Sequence, residues 1–182
     1  MSYNEQETRY FLIDPVLRNK GYDDPQRIKM ETPAPVEPTG IKGRRRKGAG
    51  RTDYLLCVQA ANMPAPLPVG VLEAKKEAED PLKGMQQAKG YADCQRFAVK
   101  YVFATNGHLY GDFDLFTNLQ AGPFPFKDFP AHSDLIARYA KDTGIDITSP
   151  EASMLFQADS PAWSQTRYYQ DATRPGCQPE TA

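Results

Sequence analysis

Three residues could do chemistry together: Asp53 in "GRTDYLLCV", and Glu73 and Lys75 in "VGVLEAKKE". Side chains alternate across a strand, so Glu73 and Lys75 share one face and Leu72 and Ala74 the other, the charged pair being about 6 to 7 Å apart at the backbone. An acid or ammonium group buried alone is costly, so each needs the other, solvent or a metal. If the two segments pair side by side, Asp53 joins them. Two carboxylates from neighbouring strands make an oxygen-rich site suited to Mg²⁺, which takes one or two carboxylates together with waters and a phosphate oxygen. Such a site polarises a phosphate and lowers the pKa of a bound water, and Lys75 could orient that water or stabilise developing negative charge. The same spacing also describes a surface salt-bridge cluster on a hairpin. Spacing by itself leaves both readings open.

The elements that must hold these residues follow from periodicity. Tyr10, Phe11, Ile13 and Leu17 recur at helical spacing between Asn4 and Lys20, with "KGYDDP" supplying Gly and Pro as stops; Pro15 is expected to kink this helix or set its first turn. "RIKME" reads as a short strand, and "TPAPVEPTGIKGRRRKGAGR" as a loop on its Pro, Gly and basic content. Residues 52–58 ("TDYLLCV", beginning at Asp53) and 69–75 ("VGVLEAK") read as an antiparallel pair joined by the loop "QAANMPAPLP", with Leu72 and Ala74 toward the packed side. A helix is expected from Asp80 to about Arg96, with Pro81 tolerated in its first turn. "KYVFATN" and "HLYGDFD" read as strands about a turn at Gly107, "AGPFPFKDFP" as a loop, and residues 131 to 142 as a helix. This order describes an α/β architecture with a mixed sheet. The tail from Thr173 is expected to be poorly ordered.

The 182 residues, 40% hydrophobic with ten Tyr and nine Phe, suffice for the core of one domain. Cys57, Cys94 and Cys177 are odd in number and lack zinc-finger spacing, which points to a reducing compartment rather than a disulfide framework. "MSYNEQETRYFLIDP" breaks any secretory pattern, and no run approaches membrane-spanning length, so a soluble, cytoplasmic protein is expected. With 22 basic and 23 acidic side chains, overall charge demands no nucleic-acid partner. Local charge says more: Lys42, Arg44, Arg45, Arg46, Lys47 and Arg51 run up to Asp53, either as a solvated loop or as contacts to DNA phosphates.

Around Asp53, Glu73 and Lys75 lie further blocks, "ETRYFLIDPVLRNKGY", "QQAKGYA" and "FATNG". Together with "GRTDYLLC" and "VLEAKK" they occur in an order that resembles the N-terminal nuclease domain of the R (restriction and motor) subunit of type I restriction enzymes. That domain belongs to the PD-(D/E)xK superfamily, and the resemblance extends over roughly residues 5 to 110. It implies a restriction-endonuclease-like core, a central mixed β-sheet flanked by helices. It also implies a type I site-specific deoxyribonuclease activity, Mg²⁺-dependent with Mn²⁺ as a substitute, on double-stranded DNA. Asp53 and Glu73 become metal ligands and Lys75 the catalytic lysine. The family's Q-x-x-x-Y element falls on Gln87 and Tyr91, which the residues alone describe only as an amphipathic helix. Glu7, in "ETR", matches an acid that supports the metal or a water. The superfamily's leading Pro is Thr52 here.

The resemblance makes residues 1–160 the endonuclease domain. Residues 161–182, containing "TRYYQDA", resemble the start of a helicase motor that is expected to be missing, since no Walker A motif is present; "GRRRKGAG" lacks the Gly-Lys-Ser/Thr ending. ATP would then serve only that absent motor, and the chain is expected to be an N-terminal piece of an R subunit that works with modification and specificity subunits. Other readings are a non-catalytic domain of the same fold that binds DNA or docks a subunit, and a stand-alone nuclease. His108 and His132 have no partner at ligand spacing and are expected in core or surface roles; Glu77, Glu79 and Asp80 are expected to cap the next helix.

Overall fold

The computed structural model describes residues 2–35, 49–59, 65–92 and 99–149. Arg44, Arg45, Arg46 and Lys47 of the basic run, and all of 161–182, lie outside them. Six strands form one mixed sheet in the order β1-β2-β3-β4-β5-β6: β1 (Ile28–Pro35), β2 (Ala49–Val58), β3 (Leu67–Ala74), β4 (Tyr101–Thr105), β5 (Leu109–Asp114) and β6 (Leu119–Pro125). Every neighbouring pair is antiparallel except β3 and β4. That parallel pair needs a crossover, which a 3₁₀ turn (Pro81–Gly84) and α3 (Met85–Ala92) supply. The expected α/β, restriction-endonuclease-like core is present.

Helices cover both faces of the sheet. On one, the helical N-terminal segment and α4 (His132–Thr143) bury Ile13, Leu17 and Leu135 against Tyr54, Leu72 and Phe103. On the other, α3 buries Met85 and Ala88 against Leu55, Val71, Val102 and Ala104. Each buried Leu, Ile, Val, Met or Phe among them stabilises the fold by about 1.5–3 kcal/mol through the apolar surface it removes from water. The alternation read in β3 is therefore correct for Leu72 and Ala74, but the opposite face is packed as well. Glu73 emerges at the end of a covered face, not on an open one.

The first helix departs from its expected periodicity. It runs as α1 (Glu5–Thr8), a π-helical turn (Arg9–Ile13) and α2 (Asp14–Asn19). Pro15 has no N–H and its ring crowds the carbonyl four residues back; the wider turn before it, in which Asp14 donates its N–H to the Arg9 carbonyl, accommodates the ring. The wider turn also rotates the apolar stripe. Ile13 and Leu17 are buried, while Tyr10 and Phe11, expected beside them, are exposed at 64% and 53%.

Two segments expected to be loops carry strand. β1 continues through Thr32–Pro35 and β2 starts at Ala49, so Asp53 lies inside its strand rather than at its start. Pro33 and Pro35 fit because β1 is an edge strand, where an absent N–H breaks no interior ladder. Likewise β6 uses Leu119–Pro125 at the other edge, and Phe126 and Phe129 just beyond it plug the core. The helices at 85–92 and 132–143 and the turn at Gly107 lie where expected. No helix among the described residues is long and apolar enough to cross a membrane.

Candidate active site

Pairing of β2 with β3 runs up to Tyr54↔Leu72. One residue further, the Asp53 carboxylate takes over from the ladder: its Oδ2 accepts the Ala74 N–H at 2.7 Å. The next N–H of the chain, that of Lys75, goes to the Thr105 carbonyl of β4 at 2.8 Å. Just before these two anchors, Glu73 is held with its side chain on the α3 face, at 3% exposure, with Asp53 at 8%.

Glu73 divides its two oxygens. Oε1 accepts from Lys75 Nζ at 2.8 Å, and Oε2 is buried without a partner. Lys75 Nζ also donates to Gln87 Oε1 at 3.1 Å, and Gln87 Nε2 donates to the Tyr91 hydroxyl at 3.0 Å. Gln87 and Tyr91 stand one helical turn apart on α3, the spacing that puts two side chains on one face. Glu73, Lys75, Gln87 and Tyr91 thus come together in one chain of side-chain contacts, and Asp53 is tied beside it through the Ala74 N–H. Bare amphipathicity of α3 does not account for Gln87.

Two glycines make the room. A Cβ at Gly84 would stand 3.1 Å from Lys75 Cε and 3.2 Å from Glu73 Cγ; one at Gly50 would stand 2.7 Å from Tyr91 Cε1. Their absence lets α3 lie close on the sheet at the site.

The electrostatics follow from burial. Desolvation, then the Asp53 charge, raises the Glu73 pKa to about 7 against the pull of Lys75. Burial also raises Asp53, opposed by the Ala74 N–H and by Arg9. Burial alone would lower the Lys75 pKa, but its hydrogen bond to Glu73 and the charges of Glu73, Glu5 and Asp53 together carry it above the usual lysine value. Two buried carboxylates with raised pKa values, one of them with an unpartnered oxygen, are only partly compensated by Lys75 and Arg9.

An oxygen donor set of two carboxylates fits Mg²⁺, which keeps several waters and rarely uses an all-protein cage. Among the described residues no group of three or more His, Cys, Asp or Glu is placed to hold a metal. Asp53 and Glu73 are the residues that could hold it.

Glu7 stands in the capping box of the N-terminal helix, one of its oxygens accepting the Asn4 N–H at 2.9 Å while the Asn4 side chain accepts the Glu7 N–H. Glu5, two residues earlier, is the acid of this helix whose charge reaches Glu73 and Lys75. Arg9 was also missed: its Nη1 contacts Glu31 and lies 3.5 Å from Asp53 Oδ1. Neither carried a sequence signal, because both depend on how the N-terminal helix lies across the sheet. Arg51 is exposed on β2, two residues from Asp53 and on the same side of the strand. His108 is exposed and pairs with Glu77 at 3.0 Å, and His132 is buried; neither joins the site. Of the expected capping acids, Asp80 accepts the Leu82 N–H at 2.9 Å.

No family model matches the chain, and no curated protein matches it. Among solved structures, it is similar to a fragment assigned as an HsdR subunit of a type I restriction enzyme from Vibrio vulnificus YJ016. The two share 31% identity with a TM-score of 0.61 over 80% of this chain. The matched part is 27% of that structure's chain, so this chain spans about a quarter of its length. In both fold and sequence, most of this chain is related to part of a type I restriction enzyme subunit.

Proposed function

We propose that the chain is the metal-dependent endonuclease domain of a type I restriction R subunit, hydrolysing phosphodiester bonds of double-stranded DNA. The observation that carries this reading is the Glu73 carboxylate, with one oxygen on Lys75 and the other buried and unpartnered next to Asp53. The likeness to an HsdR fragment supports it.

Mg²⁺, with Mn²⁺ as a substitute, would supply polarisation of the phosphate and a water of lowered pKa. Asp53 and Glu73 hold the place for that ion. Lys75, with its pKa above the usual lysine value, is an ammonium group at neutral pH. It therefore donates a hydrogen bond to charge developing on the phosphate and does not serve as a base. Gln87, on Lys75, fixes the direction of the ammonium, and Tyr91 fixes Gln87. Arg51, with Arg44, Arg45, Arg46 and Lys47, is proposed to neutralise DNA phosphates beside the cut. Motor, ATP, the modification and specificity subunits, and a cytoplasmic location belong to the same reading.

The test has two arms. Wild-type chain should bind Mn²⁺, and Asp53→Asn or Glu73→Gln should abolish the binding. Lys75→Ala should still bind Mn²⁺ yet lose DNA cleavage at least a hundredfold in a restriction complex reconstituted with the full subunit. Cleavage by Lys75→Ala at the wild-type rate removes the role given to Lys75. Absence of Glu73-dependent Mn²⁺ binding favours the reading of a non-catalytic domain of the same fold.

A further inference from the structure

Opposite Asp53 the β1–β2 ladder is interrupted. Pairs run through Met30↔Tyr54 and resume at Thr32↔Thr52, and Glu31 between them adopts φ +49°, a left-handed conformation rare for a residue with a long side chain. From that twist the Glu31 carboxylate meets Arg9 Nη1, the same nitrogen that lies 3.5 Å from Asp53 Oδ1. Arg9 is steadied from its other side, since its Nε donates to the Tyr54 hydroxyl at 3.3 Å and its guanidinium lies over the Tyr54 ring at 5.0 Å. Tyr54 in turn donates to Asp14 Oδ1 at 2.7 Å.

Asp53 has one oxygen to spare. Oδ2 already accepts the Ala74 N–H, so Oδ1 is the less engaged oxygen, and Arg9 Nη1 lies 3.5 Å from it. A guanidinium cannot shed its charge at physiological pH, so how strongly Arg9 competes for Oδ1 depends on how it is shared with Glu31, its closer contact. Glu31 is the available partner: it is 47% exposed, at the sheet edge, and held by backbone strain where nothing in the core requires it.

Resting on the metal-site reading above, we propose that Arg9 is the resident counter-ion of Asp53 Oδ1 and that Glu31 is a positioning residue that draws Arg9 off it. The pair thereby sets the affinity of the site for a divalent cation. Arg9 competes with the ion, and Glu31 weakens the competitor.

The test is Mn²⁺ binding by the 182-residue chain, followed by calorimetry and by the electron paramagnetic resonance of free Mn²⁺. Arg9→Gln, which removes the charge but keeps a polar side chain, should tighten binding roughly three- to tenfold, the range of a partly screened charge pair. Glu31→Gln, on the surface and without risk to the core, should weaken it by a similar factor. In the Arg9→Gln background, Glu31→Gln should have no effect, because its action runs through Arg9. A Glu31 effect that persists undiminished in that background is a direct pull on the ion and overturns the proposal. So does wild-type affinity, within twofold, in both single variants while Glu73→Gln abolishes binding; the metal site then stands without the Arg9 control. Loss of any Glu73-dependent binding in the wild type sinks the metal-site reading itself, and this inference with it.

Discussion

Replacing Gly84 by Ala tests how the site is packed, and Gly90 provides its control. A Cβ at Gly84 would meet Lys75 Cε at 3.1 Å, Ala104 Cβ at 3.2 Å and Glu73 Cγ at 3.2 Å. The Lys75 side chain can swing, but Ala104 sits on β4 between Glu73 and Gly111, paired on both sides, and cannot retreat. Overpacking of this kind costs about 1–3 kcal/mol. Against it stands a gain of about 0.5–1 kcal/mol from the lower chain entropy of Ala. The net expectation is destabilisation by about 0.5–2 kcal/mol, or a fall in Tm of roughly 1–8 °C at about 2–4 °C per kcal/mol. Gly90, in the same helical stretch, has nothing within 4 Å of a built Cβ, so Gly90→Ala should stabilise by about 0.5–1 kcal/mol. Urea unfolding of both variants measures the contrast. Because Lys75 is the neighbour that gives way, Gly84→Ala should also reduce cleavage beyond its effect on stability. If Gly84→Ala proves as stable as Gly90→Ala, the close contact of the helix start with Glu73 and Lys75 is wrong.

Two further predictions concern pH. Glu73 has a folded pKa raised from 4.5 to about 7, so the stability tied to its protonation is complete below about 4.5 and lost as pH rises through 7, a span worth about 3 kcal/mol. In metal-free buffer, Glu73→Gln should therefore gain on the wild type as pH rises from 4.5 to 8, measured by urea unfolding; a constant difference across that range would refute the assigned burial. His132 runs the other way. Burial lowers its pKa below 6.5, and its ring lies edge-on to Tyr22 at 5.8 Å, so the stability of the neutral form is present above 6.5 and lost on acidification. Thermal scans of His132→Phe between pH 7 and 5 should show a shallower loss than the wild type, and parallel curves would count against it.

How much of this was legible in the sequence differs by element. Alternation within residues 69–75 gave β3 and its two faces, and the block order gave Asp53, Glu73, Lys75, Gln87 and Tyr91, which the fold unites. Both are short-range patterns of residue type that survive in one dimension. Strand in "TPAP" and "AGPFP" was hidden, because edge strands tolerate proline and so read as loops. Glu5, whose charge reaches the site, carries no sequence signal that sets it apart from Glu7, because spacing does not say which acid a capping box uses.

The sequence by itself determined the chemistry available, two acids and a lysine in strand-like segments with a Gln and a Tyr one helical turn apart. Tertiary structure alone decided the rest: that Asp53 ends the β2–β3 ladder, that Glu73 is left with a buried and unpartnered oxygen, and that Arg9 and Glu31 reach the site at all. The physical reason is that desolvation and charge pairing depend on distances between segments tens of residues apart. Those distances are fixed only when the helices close over both faces of the sheet.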